Sequence, residues 1–119
     1  NLESIRNLNI IQGDIGSSTD GDYSDTAIDL YYFDQVNIDN VNISTIGIYD
    51  SGLYLEEVTY SNFSNMNINT IESGADGISL GYLNVDNRFE NNTVNVFKSS
   101  TALYLGSLSE NNIFINNIF

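Results

Sequence analysis

The sequence predicts an all-β fold, a right-handed parallel β-helix of about four coils. Three observations carry that expectation: an apolar block that returns every 25 residues, an asparagine that returns with it, and period-two alternation of apolar and polar residues. The first block starts at Ala27, Gly52, Gly77 and Ala102, each 25 residues after the last. It runs Ala27-Ile28-Asp29-Leu30 to Phe33, Gly52-Leu53-Tyr54-Leu55 to Val58, Gly77-Ile78-Ser79-Leu80 to Leu83, and Ala102-Leu103-Tyr104-Leu105 to Leu108.

A second block follows in each coil as Ile38-Asp39-Asn40, Phe63-Ser64-Asn65, Phe89-Glu90-Asn91 and Phe114-Ile115-Asn116, with an earlier copy at Ile5-Arg6-Asn7. The asparagine spacings are 33, 25, 26 and 25, so the first coil departs from the rest. Its extra length falls in the Gly- and Asp-rich stretch 13–25, which reads as an acidic loop inserted in a single segment spanning 1–119. Ile28 and Leu30, Val36 and Ile38, and Val41 and Ile43 each lie two apart, which is strand spacing. Several strands per period, with no Asn-Gly hairpin signal, favour pairing between equivalent strands one coil apart, and that pairing is parallel.

Asparagine at one corner of every coil has a physical reason, because it tolerates left-handed backbone and its amide bonds nearby backbone or stacked amides. Stacking coils about 4.8 Å apart would bring Asn7, Asn40, Asn65, Asn91 and Asn116 into a ladder. The absence of proline agrees, since proline removes a donor from the strand ladder. The expected core is Ile28, Leu30, Ile38, Val41, Ile43, Leu53, Leu55, Phe63, Met66, Ile68, Ile78, Leu80, Phe89, Leu103, Leu105 and Phe114. Val41 and Met66 align with Asn92 and Asn117, so packing in that column is expected to weaken towards the C-terminus.

Composition excludes several classes of function. With neither cysteine nor histidine, the chain has no disulfides, thiolate or imidazole metal sites, or Ser-His-Asp and Cys-His catalysis. Sixteen acidic against three basic residues give a charge of −13, which repels phosphate backbones and argues against nucleic acid as a partner. No apolar run approaches the roughly 18 residues of a membrane-spanning helix, so no membrane insertion is expected.

On these repeats the chain resembles the parallel β-helices of the pectate-lyase-like superfamily, especially the Asn-rich repeats of NosD-type surface and periplasmic proteins. The resemblance covers nearly all of residues 2–119 and implies an extracellular or cell-surface location. That architecture hosts lyases, glycosidases, adhesins, tailspikes and surface-layer proteins, so it specifies the fold better than the function. Glycosidases of the superfamily use paired Asp residues, and Asp29 and Glu56 on adjacent coils could approach the separation of about 5–9 Å that hydrolysis needs. The superfamily's Asn-Thr-Asp and Gly-His-Gly signatures are missing, and Arg6 and Arg88 lie beside the asparagine corner, which argues against catalysis.

Four further features are candidate sites. Tyr31, Tyr54, Tyr82 and Tyr104, with Asp29 and Glu56, gather on the outer face of the first strands, where rings and carboxylates could bind polysaccharide or merely shield the strands. Asp20, Asp22 and Asp25 offer hard oxygen ligands at the close spacing of a calcium loop, although the downstream bidentate Glu of an EF-hand is missing. Asn42 and Asn62 head outward-facing glycosylation sequons. Finally, neither end carries a capping element, so both open faces are expected to meet further coils of the same chain or identical subunits stacked end to end. The function the sequence favours is a structural or adhesive spacer, surface-layer or filament element, with polysaccharide binding or degradation as the alternative.

Overall fold

The computed structural model describes residues 5–6 and 9–17 as backbone and residues 26–119 in full; no helix occurs among them. The chain winds into a parallel β-solenoid of about four turns, with every described strand pairing parallel to its counterpart one turn away. In each turn the first strand is β3 (Thr26–Tyr31), β6 (Ser51–Glu56), β9 (Ile78–Leu80) or β12 (Leu103–Leu105), and these four form one sheet. Leu53 pairs with both Ile28 and Ile78, and Ile78 pairs with Leu103, at the 25-residue step read from the sequence.

The remaining strands form a bent sheet. β5 (Asn37–Thr45) turns at Asn40, so that its front half pairs with β7 (Asn62–Ser64) and its back half with β8 (Asn67–Thr70). β10 (Arg88–Glu90) and β13 (Ile113–Ile115) continue the front half, and β11 (Thr93–Val96) the back. On the other side of β5 lies β2 (Asn9–Ser17), while β1 (Ile5–Arg6) pairs with β4 (Phe33–Asp34).

Left-handed residues mark three corners in columns of four: Tyr32, Glu57, Leu83 and Leu108; Gln35, Tyr60, Asp86 and Asn111; Asn40, Asn65, Asn91 and Asn116; Tyr49, Gly74 and Lys98 are left-handed as well. A left-handed non-glycine residue costs roughly 1–2 kcal/mol. Much of that cost is offset because the corner residue turns its N–H onto a carbonyl of the next turn, as Tyr32 does to Glu56, Tyr60 to Val85 and Asn65 to Glu90. Backbone geometry therefore sets the corner, and only one of the three columns advertises it with asparagine.

The interior is filled by aliphatic stacks around one aromatic column. Phe63 and Phe89 stack with ring centroids 4.9 Å apart, and Phe89 and Phe114 at 4.8 Å, so the rings repeat at the spacing of the turns themselves. All the expected core residues of the second and third turns are buried, joined by Val36, Val58, Ala75 and Val94. Leu103 and Phe114 are half-buried, and Leu105 is 56% exposed. All three stand in the last described turn, where neighbours lie on one side only.

Three expectations are corrected. First, β2 pairs Ile10 with Ile38 and Gly13 with Val41, a step of 28 that puts Gln12 opposite Asn40. Asn7 itself lies outside the described residues. The strand runs to Ser17, so residues 13–17 belong to the solenoid; the rest of the expected loop, 18–25, falls outside the described residues. Second, an extra residue between Leu80 and Val85 lengthens the step from 25 to 26, so Leu83 and Leu108 align with corner residue Glu57, and Asn84 and Ser109 align with Val58. Third, the asparagine column at Asn40, Asn65, Asn91 and Asn116 is exposed, and the Asn65 amide donates to Asp39.

Asparagines that join one turn to the next from inside the solenoid occupy other positions. Asn84, Asn87 and Asn92 are fully buried. The Met66 N–H donates to Asn92 Oδ1 at 2.9 Å, and Asn92 Nδ2 donates to the Phe63 carbonyl at 2.9 Å. Asn84 makes the same pair of bonds with Val58 and Leu55, and Asn87 with Ser61 and Val58. Asn112 repeats the bonds on Asn87 and Asn84, and Asn117 repeats them on Asn92 and Phe89. The column expected to weaken at Asn92 is thus held by polar bonds where apolar packing stops.

Asn92→Val removes the partners of one buried N–H and one carbonyl, and should cost about 2–4 kcal/mol in urea unfolding. Asn91→Ala, at the exposed corner, should cost about 1 kcal/mol, the penalty of left-handed alanine.

Candidate functional site

The outward side chains of the first sheet form a column because the strands register one above another. Asp29 pairs with Tyr54, Tyr54 with Ser79, and Ser79 with Tyr104, while Tyr31 pairs with Glu56 two residues along. Period-two alternation sends Ile28, Leu30, Leu53 and Leu55 inward and turns the paired residues to the other face, where Asp29 and Tyr104 are exposed, Tyr54 is half-buried and Ser79 is buried. The rings of Tyr31 and Tyr54 lie 5.5 Å apart at a tilt of 41°. The Tyr54 hydroxyl donates to Glu56 Oε2 at 2.6 Å. A Cβ added at Gly81 would fall against that hydroxyl, so glycine is what lets the phenol lean across the next turn.

The candidate residues therefore divide. Tyr54 is half-buried and engaged by Tyr31, Glu56 and Gly81. Tyr31 and Tyr104 are 45% and 50% exposed, and Tyr82 is 42% exposed beside the corner where the extra residue enters. Asp29 is exposed. Hydrogen bonding to Glu56, then burial, then the nearby charges of Glu56 and Asp29 push the Tyr54 phenol well above its usual range. Tyr31 is raised by burial and by Asp29 and Glu56. Glu56 accepts from Tyr54 through Oε2, which fixes the position of the phenol.

A second polar cluster lies at the asparagine corner. Ser64 donates to Asp39 at 2.6 Å and Asn65 at 2.7 Å, and these bonds hold the Asp39 carboxyl below its usual range. Arg88 pairs with Glu90, and Lys98 with Glu72, on the outer surface. Asn42 and Asn62 are both exposed. Among the described residues no three carboxylates gather closely enough to hold a metal; Asp20, Asp22 and Asp25 lie outside the described residues. The inward asparagines went unread in the sequence, although the pattern Asn-x-x-Asn-x-x-x-x-Asn at Asn84, Asn87 and Asn92 was the available signal.

This geometry defines the class of the molecule as a parallel β-solenoid with a solid interior and an outward tyrosine column. In comparisons with protein-family models, curated proteins and solved structures, nothing matches the chain.

A phenol whose folded-state pKa is raised contributes stability fully present below its unfolded value of about 10, and that contribution is lost as pH rises through the folded value. Phenolate absorbance should show Tyr54 ionising last, and Glu56→Gln should bring its titration down towards that of the other tyrosines. An unchanged titration in Glu56→Gln would contradict the assigned hydrogen bond.

Proposed function

We propose that this chain is a structural or adhesive element of an extracellular cell-surface protein: a right-handed β-helix serving as a spacer, surface-layer or filament segment. The observation that supports this reading best is that its bonding runs along one axis. Strand pairs, the phenylalanine stack and the inward asparagines all join a turn to its neighbour, and the core leaves its columns filled from turn to turn. A body built that way gains length without changing its section, which is what a rod or spacer needs. Kinship with the pectate-lyase-like superfamily and its NosD-type repeats is part of the proposal, as are further coils of the same chain or identical subunits as partners.

The acidic exterior suits such a role. Carboxylates stacked directly over one another would repel, and the sequence avoids this by following Asp34 with Thr59 and Asp39 with Ser64, both of which donate to the acid of the preceding turn. Calcium at Asp20, Asp22 and Asp25, and glycans at the exposed Asn42 and Asn62, fit the same extracellular setting.

The exposure of Tyr31, Tyr82 and Tyr104 beside Asp29 favours a second reading, polysaccharide binding on the tyrosine column. Rings with free faces beside carboxylates can stack on sugars and bond their hydroxyls.

A soluble-glycan array separates the two. The spacer reading expects no binding. Binding lost in Tyr54→Ala and Tyr104→Ala would overturn it in favour of the second. Calcium titration calorimetry on the chain and on Asp20→Asn/Asp22→Asn tests the loop: heat of binding should be present in the first and absent in the second. Titration curves that do not differ would remove calcium from the proposal.

A further inference from the structure

The chain has no cysteine, tryptophan or histidine, and its one methionine, Met66, is buried in the core. Thiols and exposed thioethers are common sinks for oxidants. Without them, oxidising equivalents that reach this surface settle on tyrosine. Among the described residues Tyr31 and Tyr54 are the two tyrosines whose rings meet, with centroids 5.5 Å apart. They stand on neighbouring turns and the same face, because Tyr54 pairs with Asp29 and Tyr31 with Glu56. The Tyr54 hydroxyl donates to Glu56 Oε2 at 2.6 Å. That hydrogen bond, with burial, holds the phenol above its usual range, so it is protonated at neutral pH. Oxidation to a neutral radical therefore has to take the proton with the electron, and Glu56 lies at hydrogen-bond distance to receive it.

We propose that Tyr31 and Tyr54 form a site of oxidative cross-linking, at which a haem peroxidase with hydrogen peroxide joins the two rings into a dityrosine that ties one solenoid turn to the next. Each phenol gives up one electron and one proton. The two phenoxyl radicals form a carbon–carbon bond between positions ortho to their hydroxyls, and the two ortho hydrogens pass to oxygen, restoring both phenols. The two electrons and two protons released reduce one hydrogen peroxide to two waters. Tyr31 is 45% exposed, so its ring is open to the oxidant and free to turn onto its neighbour. Tyr82 and Tyr104 are exposed without a tyrosine ring against them, so their radicals couple only between chains. The cross-link runs along the axis, as the strand pairs do, and it holds equally for a spacer and for a polysaccharide-binding chain.

The test treats the full chain, dilute enough to disfavour encounters between chains, with a haem peroxidase and equimolar hydrogen peroxide. Dityrosine fluorescence follows the reaction, and proteolysis with mass spectrometry maps the product. A product of monomer size is expected, lighter by two hydrogens, in which the peptides bearing Tyr31 and Tyr54 are joined. Tyr31→Phe and Tyr54→Phe should each abolish it, while Tyr82→Phe and Tyr104→Phe leave it unchanged. Glu56→Gln should slow its formation by about tenfold or more. The urea midpoint of each variant is measured first, so that loss of the product is not mistaken for loss of the fold. Cross-links formed only between chains, or an intrachain product that persists in Tyr31→Phe, overturn the proposal. Formation at an unchanged rate in Glu56→Gln overturns the part assigned to the carboxylate.

Discussion

Everything in this solenoid depends on what happens to backbone N–H and C=O groups where the chain turns a corner inside the core. Along a strand those groups pair with the next turn automatically, but at a corner the peptide planes rotate and the ladder lapses. An orphan polar group buried there costs about 1–3 kcal/mol. The chain answers in two ways. Left-handed residues swing their N–H outward along the axis onto the next turn, as at Tyr32, Gln35 and Asn65. Inward carboxamides fill what remains, each satisfying one donor and one acceptor, as Asn92 does for Met66 and Phe63. A serine hydroxyl is a partial substitute, since the Val36 N–H donates to Ser61 Oγ, which in turn donates a hydrogen bond to the Thr59 carbonyl.

That constraint gives the trend along the axis a rationale. The first and second turns meet across Val36, Val41 and Val58, where apolar burial dominates; the second meets the third, and the third the fourth, across asparagines, where hydrogen bonding takes over. Apolar packing is tolerant of partner; paired carboxamide bonds are directional and position-specific. A solenoid that exchanges one for the other trades hydrophobic burial for register. The phenylalanine column Phe63, Phe89 and Phe114 runs through the hydrogen-bonded regime and supplies the continuous burial that keeps the polar corners dry.

Much of the architecture was legible in the sequence because a solenoid repeats its pattern and strand burial has period two. The block from Ala27 to Leu105 fixed both register and facing, and Ile28, Leu53, Ile78 and Leu103 indeed share one column. What escaped was any feature set by backbone rather than side-chain type. The corner at Tyr32, Glu57, Leu83 and Leu108 has four left-handed residues and no shared chemistry, so the pattern does not show the one-residue slip near Gly81 and aligns Leu83 with Val58. The same bias puts the structural asparagines one position too early, at Asn91 and Asn116, because asparagine is conspicuous at left-handed corners; the inward amides are the buried Asn92 and the half-buried Asn117. Of the tyrosine column, the shared face was readable, but Tyr54's engagement with Glu56 and Gly81 depends on a rotamer that no sequence pattern encodes.

The central claim is that side-chain carboxamides and hydroxyls inside the core complete the backbone ladder at the corners. Residue-resolved amide hydrogen exchange tests it most directly. If the account is right, the amides of Val36, Val58, Ser61 and Met66, whose acceptors are side-chain oxygens of the following turn, exchange as slowly as the mid-strand amides of Phe63 and Phe89. Exchange at those corner amides close to the rate of free peptide, while the strands stay protected, would mean the solenoid is held by its strands alone and the inward asparagines are not what joins its turns.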